Sequence, residues 1–131
     1  MRRPLLVFAL VTALGLPAAA LAARPAVSPA AVEELAKRPD APLVLDVRTP
    51  EEFAKGHLPG AVLIPHDQLA ARLSELDHDR WVLVYCHSGR RATLAQTLLD
   101  EHGFEVRQLD GSWQRWQAEA RPEETGAEGS R

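Results

Sequence analysis

The residues best suited to chemistry lie together in the segment 86–91, which begins with the only cysteine of the chain. This segment consists of Cys86, His87, Ser88, Gly89, Arg90 and Arg91. A cysteine thiolate is a strong nucleophile, and two adjacent arginines could hold an anionic substrate beside it. An apolar run, 82–85, precedes the cysteine, and residues 91–102 are predicted to form a helix after it. A helix N-terminus favours both a thiolate and a bound anion, so the segment is suited to attack on an anionic substrate.

The spacing within this segment separates two kinds of chemistry. A lone cysteine is commonly a small buried hydrophobe, but packing alone requires neither the glycine nor the two arginines that follow Cys86. Protein tyrosine phosphatases place an arginine six residues after the catalytic cysteine, whereas that position here is Ala92. The resulting loop is one residue shorter, and a tetrahedral oxyanion needs the larger cradle. Phosphate or arsenate ester chemistry is therefore the less favoured enzymatic alternative.

Cys86 and its neighbours resemble the six-residue active-site loop of the rhodanese family, and three other blocks match that family in the same order. Residues 45–53 (LDVRTPEEF) resemble D-V-R-x-x-x-E-[FY], residues 56–61 (GHLPGA) resemble G-H-I-P-G-A, and residues 110–116 (DGSWQRW) resemble the closing G-G-x-x-x-W. Ser112 replaces the second glycine of the last block, a change that we expect to affect the local turn and not the chemistry. The resemblance covers residues 26–122 and predicts one rhodanese-like domain.

The resemblance implies sulfur transfer of the thiosulfate:cyanide type. Cys86 would attack the outer sulfur of thiosulfate or a similar small anion, release sulfite and carry a persulfide until cyanide, a thiol or an acceptor protein removes the sulfur. The residues expected to bind the donor are His87, Ser88, Gly89, Arg90 and Arg91. No metal or organic cofactor is implied. A persulfide carrier or binding module that serves a partner protein, without turnover of its own, remains the alternative.

Two charged residues outside the loop, Asp46 and Arg48, are expected to support it. Asp46 ends an apolar strand, and strand alternation places Arg48 on the same side. A partly buried acid is more often paired than reactive, so we expect an ion pair, either Asp46 with an arginine or Arg48 with Glu52. His57 lies in a Gly- and Pro-flanked turn and is predicted to be structural. No histidines are spaced as metal ligands, and no metal site is predicted.

The pattern of elements predicts the α/β class, as a three-layer α/β/α rhodanese-like domain around a parallel sheet of about five strands. Apolar runs predict strands at 43–47, 61–64, 81–85 and 104–109. Helices are predicted after Ser28, between Thr49 and Gly56, and over 67–76, 91–102 and 111–120. Ligands bind beyond the carboxyl ends of such strands, where Cys86 falls.

The two ends of the chain differ in composition from this domain. Residues 1–22 have a basic start, an apolar stretch and Ala20-Leu21-Ala22, which together predict a secretory signal peptide; an uncleaved anchor is the alternative. Cleavage would place the protein in the periplasm or outside the cell, with no membrane association. Residues 123–131 are rich in Glu and Gly and are predicted to be a disordered tail.

The charge of the mature protein argues against a nucleic-acid partner. The full chain has 15 basic and 18 acidic side chains, for a net charge of −3. Removal of Arg2 and Arg3, with no acid, would change this net charge to −5. An acidic surface repels nucleic acids and anionic lipid, which leaves a small anionic sulfur donor bound by a local basic loop as the expected partner.

Overall fold

The structure, a computed structural model, describes residues 24–127. The predicted signal peptide and residues 128–131 lie outside this range. The elements in chain order are α1 (Pro29–Leu35), β1 (Leu43–Asp46), α2 (Pro50–Lys55), β2 (Val62–Leu63), a 3-10 helix (Leu69–Glu75), β3 (Val82–Tyr85), α3 (Arg90–Glu101), β4 (Val106–Gln108) and α4 (Ser112–Ala118). Within the described range, no helix has both the length and the apolar character needed to cross a membrane.

The four strands form one parallel sheet in the order β2-β1-β3-β4. We expected about five strands, and the fifth is reduced to a single residue. Val27 forms a parallel bridge with Leu109, in which its N–H donates to Gln108 O at 2.8 Å and its C=O accepts from Asp110 N at 2.8 Å. The bridge does not extend because Ser28 already caps α1.

Side-chain alternation along β3 divides the core into two layers. Val82, Val84 and Cys86 belong to the cluster beneath α3 and the 3-10 helix, whereas Leu83 and Tyr85 belong to the cluster with α1, α2 and α4. Strands that are buried on both faces require helices on both sides of the sheet. The predicted three-layer α/β/α arrangement is confirmed.

Local sequence signals set the starts of the first two helices as predicted. Ser28 Oγ accepts a hydrogen bond from Ala31 N at 3.3 Å. Thr49 and Glu52 form a reciprocal capping box at the start of α2. The predicted helix over 67–76 differs from the expectation: Leu69–Glu75 form a 3-10 helix with a break at Arg72, and the three-residue spacing of Leu73 and Leu76 fits that tighter repeat.

Residues 123–127, which we predicted as the start of a disordered tail, are hydrogen-bonded to the domain. Glu124 and His57 exchange two backbone hydrogen bonds of 2.9 Å, and Gly126 N donates to Ala54 O at 3.0 Å. The composition of this segment gave no sign of these contacts because they use backbone groups and bury little apolar surface. The correction applies to 123–127, and the rest of the predicted tail lies outside the described range.

Candidate active site

Cys86 lies directly after β3, at the carboxyl edge of the sheet, and its side chain faces the start of α3. The residue is only 1% exposed, and its Sγ accepts a hydrogen bond from Gly89 N at 3.0 Å. Gly89 has a φ of 117°, a left-handed conformation that favours glycine, and it is the N-cap of the 12-residue helix α3. The loop therefore turns the N–H of Gly89, at the start of α3, toward the sulfur, so that negative charge on the sulfur would be stabilised.

The two loop arginines, which the sequence analysis treated alike, have different surroundings. Arg91 donates to both carboxylate oxygens of Glu52, at 2.7 and 2.9 Å. This hydrogen bonding lowers the pKa of Glu52 to about 2 and raises the pKa of Arg91. Arg90 is exposed, and it has no ion-pair partner among residues 24–127. Arg90 is thus the cation that remains available to an anion, whereas Arg91 ties α3 to α2.

The middle of the loop is open to solvent. His87 and Ser88 are exposed, and the backbone carbonyl of His87 accepts from Gln114 N at 3.1 Å. Ser88 and Gly89 form part of the wall of a cavity of about 270 Å³, together with residues that follow β4. Of the predicted donor-binding residues 87–91, Ser88 and Gly89 line this cavity, His87 and Arg90 are exposed, and Arg91 is paired with Glu52.

Asp46 and Arg48 form a buried ion pair, as one of the two predicted arrangements requires. Arg48 Nη2 donates to Asp46 Oδ2 at 2.7 Å and to Gly56 O at 2.7 Å. Asp46 and Arg48 are 0% and 2% exposed, so neither side chain reaches solvent at the loop. Although burial acts to lower it, the pKa of Arg48 is raised, because the hydrogen bonds and charge of Asp46 outweigh burial. Glu52, the other partner considered for Arg48, binds Arg91 instead.

Tyr85 and Trp113 connect this ion pair to the loop, and the sequence pattern had assigned no role to Tyr85. Tyr85 OH donates to Asp46 Oδ2 at 2.6 Å and accepts from Leu58 N at 3.1 Å. Burial, with the negative charge of Asp46, raises the pKa of Tyr85 well above its ordinary value, so the hydroxyl stays a neutral donor. The Arg48 guanidinium lies 4.7 Å from the ring centre of Trp113, and Trp113 N donates to Cys86 O at 3.0 Å.

A simple signal could have found Tyr85. A tyrosine at the end of a buried strand requires a hydrogen-bond partner for its hydroxyl, and Asp46 ends the neighbouring predicted strand. The register pairs the two residues, Asp46 with Tyr85. Trp113 carried no comparable signal because its contact with Cys86 uses the backbone.

Ser112 lies closer to the chemistry than expected. The substitution of serine for the second glycine was expected to affect only a turn. In the structure, Cys86 N donates to Ser112 Oγ at 3.4 Å, so this hydroxyl contacts the residue that we predict to be the nucleophile. Across the part of the chain that the structure describes, no group of three or more His, Cys, Asp or Glu side chains could hold a metal ion.

Comparisons with known proteins agree on one family. The sequence pattern of the Rhodanese-like domain matches residues 28–119. The thiosulfate sulfurtransferase GlpE of Ectopseudomonas mendocina is 35% identical over 105 residues, which cover 79% of this chain and 93% of GlpE. The HTH-type transcriptional regulator Rv0324 of Mycobacterium tuberculosis is 39% identical over 98 residues, covering 72% of this chain but only 43% of the regulator. The chain thus spans less than half the length of that relative.

A solved structure supports the same relationship. The rhodanese-related protein from Thermoplasma volcanium superposes with a TM-score of 0.71 at 29% sequence identity. The similarity covers 77% of this chain and 98% of that one. The similarity therefore extends over nearly all of the solved structure.

Proposed function

The chain belongs to the rhodanese-like domain family, and on that premise we propose that it is a sulfurtransferase whose Cys86 carries sulfane sulfur as a persulfide. One observation carries the proposal: Cys86 Sγ accepts a hydrogen bond from Gly89 N at 3.0 Å at the start of α3. Donors aimed at the sulfur stabilise negative charge on a thiolate and on a persulfide alike. The name of the relative GlpE supports thiosulfate as the donor.

The first half-reaction forms the persulfide. The Cys86 thiolate attacks the outer sulfur of thiosulfate and forms a new S–S bond. The bond between the two sulfur atoms of thiosulfate breaks, and sulfite leaves with that electron pair. Because Arg90 is the exposed and unpaired cation of the loop in the described range, we assign it the sulfonate end of the donor.

The second half-reaction returns the enzyme to its starting state. Cyanide or a thiolate attacks the terminal sulfur of the persulfide, and the electron pair of the S–S bond returns to Cys86 Sγ. The products are thiocyanate or an acceptor persulfide. The cycle is a double displacement in which one cysteine is used twice. No group outside the chain is required to balance electrons.

We further propose that the mature protein acts in the periplasm or outside the cell. Residues 1–22 have the sequence features of a cleaved signal peptide. Expression of the full chain in a Gram-negative host, followed by intact-mass measurement of the protein in the periplasmic fraction, tests this. A mass that starts at Ala23 supports export, whereas a full-length protein confined to the cytoplasm contradicts it.

Turnover is tested by thiocyanate formation from thiosulfate and cyanide. We expect double-displacement kinetics, seen as parallel lines in double-reciprocal plots, and loss of activity in Cys86→Ser. Intersecting lines would show that both substrates must bind before sulfite is released, which would contradict the proposed double displacement. Ser74→Ala, a change to an exposed hydroxyl in the 3-10 helix, is the matched control.

A carrier that serves a partner protein is the second candidate. The observation that favours it is the match to Rv0324, where the similar region makes up 43% of a longer protein. A carrier would accept one sulfur atom per chain from thiosulfate but release it slowly to cyanide and small thiols. Single-turnover loading without multiple turnover would favour this function over the first.

A further inference from the structure

We propose that Ser112 is a positioning residue that fixes the backbone of Cys86 for sulfur transfer. The proposal rests on the proposed function, because it concerns how the same cysteine is held. Ser112 is 1% exposed and belongs to the first turn of α4, far from Cys86 in sequence. Nothing in the loop sequence itself points to it.

The backbone of Ser112 adopts a conformation that serine rarely adopts. Its φ is 51°, and it follows Gly111, whose φ is 74°. A side chain in the left-handed region costs free energy that glycine avoids, and such strain persists where a function requires it. Across residues 24–127, only one other non-glycine residue, the exposed Ala120 at the end of α4, has a positive φ. Ser112 is therefore the buried non-glycine residue with a positive φ in this range.

The first turn of α4 holds both backbone polar groups of Cys86. Cys86 N donates to Ser112 Oγ at 3.4 Å, and Cys86 O accepts from Trp113 N at 3.0 Å. The next carbonyl, that of His87, accepts from Gln114 N at 3.1 Å. The two contacts from Trp113 and Gln114 use backbone groups and would survive most substitutions. The contact from Ser112 depends on its hydroxyl.

The hydroxyl explains why glycine is absent from this position. Glycine would relieve the backbone strain but would leave Cys86 N without a partner. With that N–H free, the peptide before Cys86 would be held only at its carbonyl, where Tyr85 O accepts from Val47 N at 3.1 Å, and Sγ could shift relative to Gly89 N. Stability and reactivity should therefore change in opposite directions when Ser112 is replaced by glycine.

The test compares Ser112→Gly and Ser112→Ala with wild type and with the exposed control Ser74→Ala. Three quantities are measured: Tm, the rate and KM of persulfide formation from thiosulfate, and the rate of Cys86 alkylation by iodoacetamide at fixed pH. For Ser112→Gly we expect a higher Tm, because glycine relieves the backbone strain at this position. We expect persulfide formation and alkylation to slow by about three- to tenfold, the effect of one neutral hydrogen bond, with KM within about twofold.

The alanine variant separates the hydroxyl from the strain. Ser112→Ala keeps the strained side chain and loses the hydroxyl, so it should be as slow as Ser112→Gly without its gain in Tm. Wild-type rates in both variants would overturn the proposal and leave Ser112 with a packing role only. If wild type is alkylated but takes no sulfur from thiosulfate, the proposed function fails, and the alkylation rates still decide the role of Ser112.

Discussion

At the scale of single residues, the site is defined by which charges are paired and which are free. The sequence predicted the loop, its nucleophile and two arginines as anion ligands. The structure pairs Arg91 with Glu52 and Arg48 with Asp46, and it leaves Arg90 exposed. The Glu52–Arg91 pair could not be predicted from local pattern, because its members are 39 residues apart. The Asp46–Arg48 pair could be predicted from local pattern, because two residues on the same side of a strand end are neighbours.

The first prediction distinguishes the two loop arginines. Arg90→Ala should raise KM for thiosulfate roughly tenfold, the equivalent of one charge-assisted hydrogen bond, without lowering Tm. Arg91→Ala should change KM less and should lower the free energy of unfolding, because it leaves Glu52 unpaired. Steady-state kinetics and urea denaturation provide the two measurements, with Arg38→Ala as a control far from the loop in sequence. A larger KM effect in Arg91→Ala than in Arg90→Ala would reverse the assignment.

The second prediction concerns pH and the Glu52–Arg91 pair. The pKa of Glu52 is lowered from 4.5 to about 2 in the folded state, so its contribution to stability is present above pH 4.5 and is lost as pH falls toward 2. The side chains of Arg91 and Glu52 are 25% and 31% exposed, so screening by solvent reduces the coupling to about 1–2 kcal/mol at pH 6. A double-mutant cycle with Glu52→Gln and Arg91→Ala should show this coupling falling to about half by pH 3. A coupling that does not change with pH would contradict the ionic origin.

At the scale of elements, local signals were the most reliable. The caps at Ser28 and Thr49 and the apolar strand β3 were predicted because each depends on neighbours in sequence. The one-residue bridge at Val27 was not predicted, because it depends on where a distant strand ends. The side-chain hydrogen bond from Tyr85 to Asp46 links the carboxyl ends of β3 and β1. Because Tyr85 precedes Cys86, this bond also holds the residue next to the cysteine.

The third prediction tests the contribution of the Tyr85–Asp46 hydrogen bond to stability. Tyr85→Phe removes the donor to Asp46 and leaves Leu58 N without its side-chain acceptor in a buried position. We expect the free energy of unfolding to fall by about 1–3 kcal/mol, the usual cost of an unsatisfied buried group. Urea denaturation measures it. A change below about 0.5 kcal/mol, the range of a neutral surface substitution, would show that this hydrogen bond contributes little to the free energy of unfolding.

At the scale of the whole molecule, the three-layer arrangement followed from alternating strands and helices. The role of the C-terminal segment did not follow from composition. Glu124 pairs with His57 beside Gly56, whose carbonyl accepts from Arg48, so the segment supports the buried ion pair from outside. A Cβ on Gly56 would lie 3.0 Å from the Trp113 ring and 3.2 Å from Glu123, which shows how closely these parts pack.

The fourth prediction removes this segment. A chain that ends at Pro122 keeps the hydrogen bond from Trp116 Nε1 to Pro122 O but loses the backbone bonds of Glu124 and Gly126. We expect Tm to fall by roughly 5 °C, corresponding to about 1 kcal/mol. Glu124→Gln, which keeps the backbone bonds, should leave Tm nearly unchanged. An equal fall in both variants would assign the effect to the Glu124 side chain instead.

The most direct test of the account is the intact mass of residues 23–131 after incubation with thiosulfate, measured beside Cys86→Ser. We predict a gain of one sulfur atom in the wild-type protein, its removal by cyanide and no gain in the variant. No added mass, with Cys86 still readily alkylated by iodoacetamide, would contradict the central claim that this loop takes sulfur from thiosulfate.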